Sequence, residues 1–140
     1  MFERIIVSID AAAGTEDALA LACDLARKYD SQIMLVLCTG FLEIAHAFVE
    51  DEALKSCSSH MLEISTQITT KAVKTVTMLG CMADKCIIAN GEPVAEMLSQ
   101  IEKVDADLLI IDCSSHEENA AQFQMVDRVL AETSCVCLTV

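Results

Sequence analysis

Apolar residues in this chain collect into short unbroken runs, separated by longer stretches in which they recur every three or four positions. Arg4 to Ile9, Gln32 to Cys38, Lys85 to Ala89 and Leu108 to Asp112 are near-continuous in Ile, Leu, Val and Cys, and Cys135 to Val140 makes a fifth run. Continuous rather than alternating runs of this length predict strands of a parallel sheet covered on both faces. Between them, Thr15 to Tyr29 places Leu19, Ala22, Ala26 and Tyr29 on one helical face, and Glu92 to Lys103 does the same with Val94, Met97, Leu98 and Ile101. Pro93 falls at the first helical position, where its missing N–H costs nothing. Ser115-His116-Glu117-Glu118 reads as a capping box ahead of a helix whose apolar stripe is Phe123, Val126, Val129 and Leu130.

The middle of the chain gives a mixed signal. Leu54, Cys57, Met61, Ile64, Ile68 and Ala72 keep helical spacing, yet Thr66 to Thr77 is rich in β-branched residues, which are weaker helix formers. The spacing predicts one helix from about Asp51 to Leu79, ended by Gly80, with Phe41 to Glu50 as a looser entry segment. Strand thus alternates with helix throughout, the pattern of an α/β domain with a parallel sheet and helices on both faces. Ligands of such sheets bind beyond the carboxyl ends of the strands, where strand order reverses. The positions of interest are therefore Asp10, Cys38 and Asp112, and the residues that follow each.

Composition narrows the classes. The 140 residues suit one domain over 1–140, and 54% hydrophobic against 22% charged excludes a disordered tail. A net charge of −13 argues against nucleic acid and against anionic membrane surfaces, both of which would repel it. No window approaches the roughly 18 consecutive apolar residues of a membrane helix. The uncharged run Ile5 to Ile9 is too short for the core of a secretory signal, so a cytoplasmic location is expected. The eight cysteines, Cys23, Cys38, Cys57, Cys81, Cys86, Cys113, Cys135 and Cys137, mostly lie inside apolar runs, where a free thiol serves as a small hydrophobe.

Several common sites are absent. After the first strand the chain reads Asp10-Ala11-Ala12-Ala13-Gly14, without the glycines of a dinucleotide turn, and it contains no P-loop. Cys57 and His60 lie one helical turn apart but lack two further ligands, so packing is expected rather than a metal. Cys135 and Cys137 share one face of the last strand, and Cys81 and Cys86 flank the turn into the third; packing is expected for all four. Cys113, near His116, is the most credible reactive thiol, though Asp112, Glu117 and Glu118 oppose its ionisation. His46, His60 and His116 have no nucleophile and acid partner in a recognisable arrangement, so no catalysis is expected.

Three blocks carry a family resemblance. Ile5-Ile6-Val7-Ser8-Ile9-Asp10, with Glu16-Asp17-Ala18-Leu19 and Ala22 to Tyr29, resembles the start of universal stress proteins. Gly91-Glu92-Pro93-Val94-Ala95-Glu96-Met97-Leu98, followed by Ala106 to Ile111, is similar to that family's signature before and through its fourth strand. Arg128-Val129-Leu130 and then Cys135 to Val140 resemble its last helix and strand, so the resemblance spans the whole chain. It implies a three-layer, doubly wound, Rossmann-like domain of the adenine nucleotide alpha hydrolase-like type. Its five-strand parallel sheet would run in the order 3-2-1-4-5, and the protein would be a homodimer.

In the family's ATP-binding branch, an Asp after the first strand and a residue at the end of the second hold adenosine. The phosphates lie on a Gly-x-x-Gly-x9-Gly-Ser/Thr loop after the fourth strand. Asp10 matches the first feature and Cys38 falls at the second, so the implied adenosine crevice takes in Asp10, Ala11, Cys38, Asp112 and Cys113. The loop does not match: Asp112 to Gln124 holds no glycine and three carboxylates, which oppose the backbone N–H cradle that phosphates need. The chain thus resembles the branch without the ATP loop. The expectation is a non-enzymatic, cytoplasmic stress-response or signalling module with no cofactor. Its partners would be an unidentified protein and a second copy of itself, joined through the apolar edge of Cys135, Val136, Cys137, Leu138 and Val140. The alternatives are an adenine-nucleotide switch taking ATP, ADP or AMP, and a thiol-based redox or metal sensor.

Overall fold

Successive residues of a strand point to opposite faces of the sheet, so a strand that is apolar at every position needs cover on both. Apart from Arg4 and Ser8, β1 (Arg4–Ile9) meets this condition: Ile5, Val7 and Ile9 enter one core, and Ile6 enters the other. The computed structural model describes residues 1–10, 15–39, 51–112 and 120–140, with the helix backbone alone over 51–60 and 120–125. After β1 come α1 (Thr15–Tyr29), β2 (Gln32–Cys38), α2 (Asp51–Met78), β3 (Ala83–Ala89), α3 (Pro93–Val104), β4 (Leu108–Ile111), α4 (Ala120–Glu132) and β5 (Val136–Thr139). All neighbouring strands pair in parallel, in the order β3-β2-β1-β4-β5. This is the implied α/β doubly wound sheet.

Two cores sandwich the sheet. On the first face, Leu19, Ala22 and Cys23 of α1 and Ala72 and Val76 of α2 pack on Ile5, Val7, Leu35 and Ile110. On the second, Val94, Met97 and Ile101 of α3 and Val126 and Val129 of α4 pack on Ile6, Val36, Leu109 and Ile111. Cover on both faces holds for β1, β2 and β4 only. β3 is largely exposed at Asp84, Lys85, Cys86 and Ile88, and β5 at Val136, Leu138 and Thr139, because both are edge strands, paired on one side only. Two stripe assignments also shift. Leu130 is 40% exposed, and Tyr29 is half-buried outside the core, its ring edge-on to Phe2 with centroids 5.6 Å apart.

α2 forms across the β-branched stretch, as its apolar spacing predicts. The hydroxyls of Thr66, Thr69, Thr75 and Thr77 each donate to the carbonyl four residues earlier, at 2.8–3.0 Å. Ala72 and Val76 meanwhile anchor the helix on the first core. Its end is a Schellman motif: Gly80, at φ +82°, donates to Thr77 O at 3.0 Å, and Cys81 N–H donates to Val76 O at 3.1 Å. α3 starts as predicted with Pro93 at its first position. The cap is Glu92, whose carboxylate accepts from Val94 N–H at 3.3 Å and Ala95 N–H at 2.8 Å. The capping box of Ser115 and Glu118 and the entry segment Phe41 to Glu50 lie outside the described residues.

Register is pinned at the amino ends of the strands by two aspartates. Asp107 Oδ2 accepts from the N–H groups of Glu3 and Arg4 at 2.8 and 2.9 Å, and Asp84 Oδ2 accepts from Ile33 N–H at 2.8 Å. Each aspartate stands at the start of one strand and satisfies donors of its neighbour, so adjacent strands begin level.

The two-core arrangement gives Leu109 and Leu130 opposite weights. Leu109→Ala, emptying a fully buried position of β4, should cost about 2–5 kcal/mol, whereas Leu130→Ala should stay within about 0.5 kcal/mol. Urea denaturation followed by circular dichroism measures both; equal losses would contradict this placement of the second core.

Candidate functional site

Strand order reverses at β1, with β2 on one side and β4 on the other, so the carboxyl ends of these three strands flank the crevice where ligands of doubly wound sheets sit. Asp10 follows β1 and is locked to the first residue of α1. The Thr15 hydroxyl accepts from Asp10 N–H at 3.3 Å and lies 2.8 Å from Asp10 Oδ1 and 3.2 Å from Asp10 O, within donating distance of both. Thr15 is buried, so this lock holds the end of the strand against the start of the helix. This geometry ties Asp10 to the Thr15 hydroxyl rather than to a backbone N–H of α1. Asp10 also borders a cavity of about 240 Å³ between α1 and α2, with Glu16 and Lys71 paired at 3.5 Å on its rim.

Asp112 follows β4 and is 2% exposed. Ser8 pairs with Ile111, so Asp10 and Asp112 end adjacent strands and put two carboxylates at the crevice. Cys38 ends β2, half-buried, with its thiol 3.9 Å from Pro93 O. Burial, with the Glu96 and Glu92 carboxylates adding to it, pushes the Cys38 thiol up to about 11. At neutral pH it is a protonated, packed side chain rather than a nucleophile. On the second face Ile6 and Met34 are buried while Ser8 and Cys38 are partly open, so this face loosens toward the carboxyl end.

Two residues that sequence reasoning passed over help to build the site. Thr15 carried a usable signal, being a threonine followed by two acids at the start of a helical pattern. Thr39 carried none. It is buried beyond β2, where its N–H donates to Ala89 O at 2.9 Å and its hydroxyl lies 2.8 Å from Asn90 Oδ1, tying the ends of β2 and β3.

Ala11 and Cys113 of the implied crevice lie outside the described residues, as do His46, His116 and the side chains of Cys57 and His60. Among the described residues no group of three or more His, Cys, Asp or Glu could hold a metal ion, and no described helix is long and apolar enough to cross a membrane.

At the sheet edge, Cys135 and Cys137 share a face, as predicted, and pack against the second core. Burial raises both thiols; with Cys137 and Asp107 adding to it, Cys135 is pushed up to about 11. Val136, Leu138 and Val140 are 54%, 37% and 38% exposed.

The similarities to known proteins follow this architecture. Among curated proteins, none matches the chain by sequence. Solved structures do match over nearly its whole length. Universal stress protein UspA from Lactobacillus plantarum is 12% identical with a TM-score of 0.77, covering 99% of this chain and 97% of its own. The universal stress protein from Archaeoglobus fulgidus, solved in complex with dAMP, is 16% identical with a TM-score of 0.70, covering 99% and 97%. A universal stress protein solved in complex with cAMP is 15% identical with a TM-score of 0.69, covering 99% and 96%. At these identities the structures share the fold, and the family itself is given by the sequence: the model of the universal stress protein family matches residues 1–140, and the chain belongs to that family.

Proposed function

We propose that this chain is a non-enzymatic, cytoplasmic stress-response or signalling module that works as a homodimer joined through β5 and docks a further protein. The observation that carries the reading is the edge. Among the described residues β5 pairs with β4 alone, and Val136, Leu138 and Val140 remain exposed on the face turned away from the second core. An apolar edge strand with unpaired backbone groups favours pairing with another strand, and a second copy offers a self-complementary one about a two-fold axis.

A second reading rests on the crevice. Two universal stress proteins of the same fold were solved with cAMP and dAMP, and here Asp10, Cys38 and Asp112 stand at the carboxyl ends of β1, β2 and β4, with Ala11 and Cys113 next in the chain. Asp10 would take a ribose or adenine hydrogen bond beside the one it makes with Thr15, since a carboxylate accepts several. The carboxylates at the strand ends, and the glycine-free run from Asp112 to Gln124, oppose a polyphosphate. The ligand favoured is accordingly an adenosine monophosphate rather than ATP.

Light scattering tests the first reading. Val136→Pro and Leu138→Lys should convert a dimer into particles of the chain mass, 15.1 kDa, with circular dichroism unchanged; a dimer of undiminished affinity would remove this interface. Calorimetry tests the second. AMP should bind more tightly than ATP with magnesium, and Asp10→Ala should abolish the heat. Silence from every nucleotide, or a preference for ATP, would refute it.

A further inference from the structure

At the amino ends of β2 and β3, the far end of the sheet from the crevice, two cysteines from distant parts of the chain meet. Cys23 sits on the buried face of α1, and Cys81 is the residue that closes the Schellman turn after α2. The Cys81 sulfur lies 3.6 Å from the backbone carbonyl of Cys23, within donating distance of it. Arg27, one turn along α1 from Cys23, reaches across with Nη1 to the Cys81 sulfur at 3.7 Å and to Leu79 O, while its Nη2 binds Asp24. Cys81 borders an open cavity of about 480 Å³ together with Arg27, Asp30, Ser31 and Asp84, whereas Cys23 is wholly buried. One thiol is therefore within reach of solutes beside a fixed cation, and the other waits behind it.

We propose that Cys81 and Cys23 form a hydroperoxide-responsive dithiol pair that closes into a disulfide, bolting α1 to the turn at the end of α2. The Cys81 sulfur attacks a peroxide oxygen: an S–O bond forms, the O–O bond breaks, and two electrons pass from sulfur to the peroxide. With hydrogen peroxide the products are a sulfenic acid and water. The Cys23 sulfur then displaces the hydroxyl. An S–S bond forms, the S–O bond breaks, and the Cys23 thiol proton leaves with hydroxide as a second water. Two thiols and one hydrogen peroxide thus give one disulfide and two waters.

The order of steps follows from the surroundings. Burial, with the neighbouring Cys81 adding to it, pushes the Cys23 thiol up to about 12, so Cys23 stays protonated and out of the oxidant's reach while Cys81 meets it. A cation against sulfur is the setting in which thiols act as nucleophiles. The Schellman hydrogen bonds hold the backbone of Cys81 in place beside α1, so the two residues stay together. The other described cysteines compete poorly. Burial raises all four of the rest, Cys38 and Cys135 to about 11.

The test treats the full chain with a small excess of hydrogen peroxide, alkylates the remaining thiols and maps the peptides by mass spectrometry. The expected product has lost two hydrogens, carries a peptide linking Cys23 to Cys81, and returns to the starting mass with dithiothreitol. Cys81→Ser should abolish the link. Cys23→Ser should leave a sulfenic acid on Cys81 that dimedone traps. Should a hydroxyl at the buried Cys23 position prevent folding, Arg27→Gln, on the solvent side, supplies the second variant and should slow the loss of the Cys81 thiol. Cys81 proceeding to sulfinic acid without a link, or a disulfide formed by Cys86 in its place, would overturn the proposal.

Discussion

Everything in this fold hangs on the pairing of β1 with two parallel neighbours at once. β1 bonds to β2 on one side and to β4 on the other. Parallel neighbours cannot be joined by a tight turn, so each pairing forces the chain to cross over the sheet through a helix. The β1–β2 and β2–β3 crossovers place α1 and α2 on the first face; β3 to β4 and β4 to β5 place α3 and α4 on the second. Apolar residues on both faces of β1, β2 and β4 are then a requirement, because both sides of these strands lie under helices.

The same reversal at β1 produces the crevice. Strands leaving β1 in opposite directions carry their crossovers to opposite faces, and the carboxyl ends of β1 and β4 are left between them. What the chain puts there is acidic and internally bonded. Asp10 is tied to Thr15, Asp112 is buried at the end of β4, and the Cys38 thiol sits near the Glu92 and Glu96 carboxylates. This chemistry suits hydrogen bonding to hydroxyls and ring nitrogens better than the neutralisation of several phosphate charges.

The opposite end of the sheet is built by different means. Asp107 and Asp84 level the strand starts, and the cap of α2 delivers Cys81 to the side of Cys23 and Arg27. α1 runs between the two ends, from Thr15 beside Asp10 to Arg27 beside Cys81. A covalent bond at one end of that rod would constrain the helix whose first residue closes the other.

Local pattern was enough for the elements of this protein, their order and the resemblance that assigns the family. Runs of apolar residues and three- or four-residue spacings report on how each segment meets its own neighbours in the chain. The helix Asp51–Met78 was legible despite its β-branched residues, because apolar spacing over many turns outweighs small differences in propensity. Position within the sheet was legible only through the family resemblance, not from local pattern. β5 is as apolar as the central strands, so nothing in its own sequence marks it as an edge, whereas β3 carries Asp84 and Lys85, charges that an edge strand tolerates. Asp10 and Cys38 could be selected as strand-end residues, whereas the lock of Asp10 on Thr15 is a matter of geometry. The meeting of Cys23 with Cys81 lies wholly in the tertiary structure: residues 58 positions apart come together only when α1 and α2 pack side by side on one face, and no periodicity along a chain records that contact.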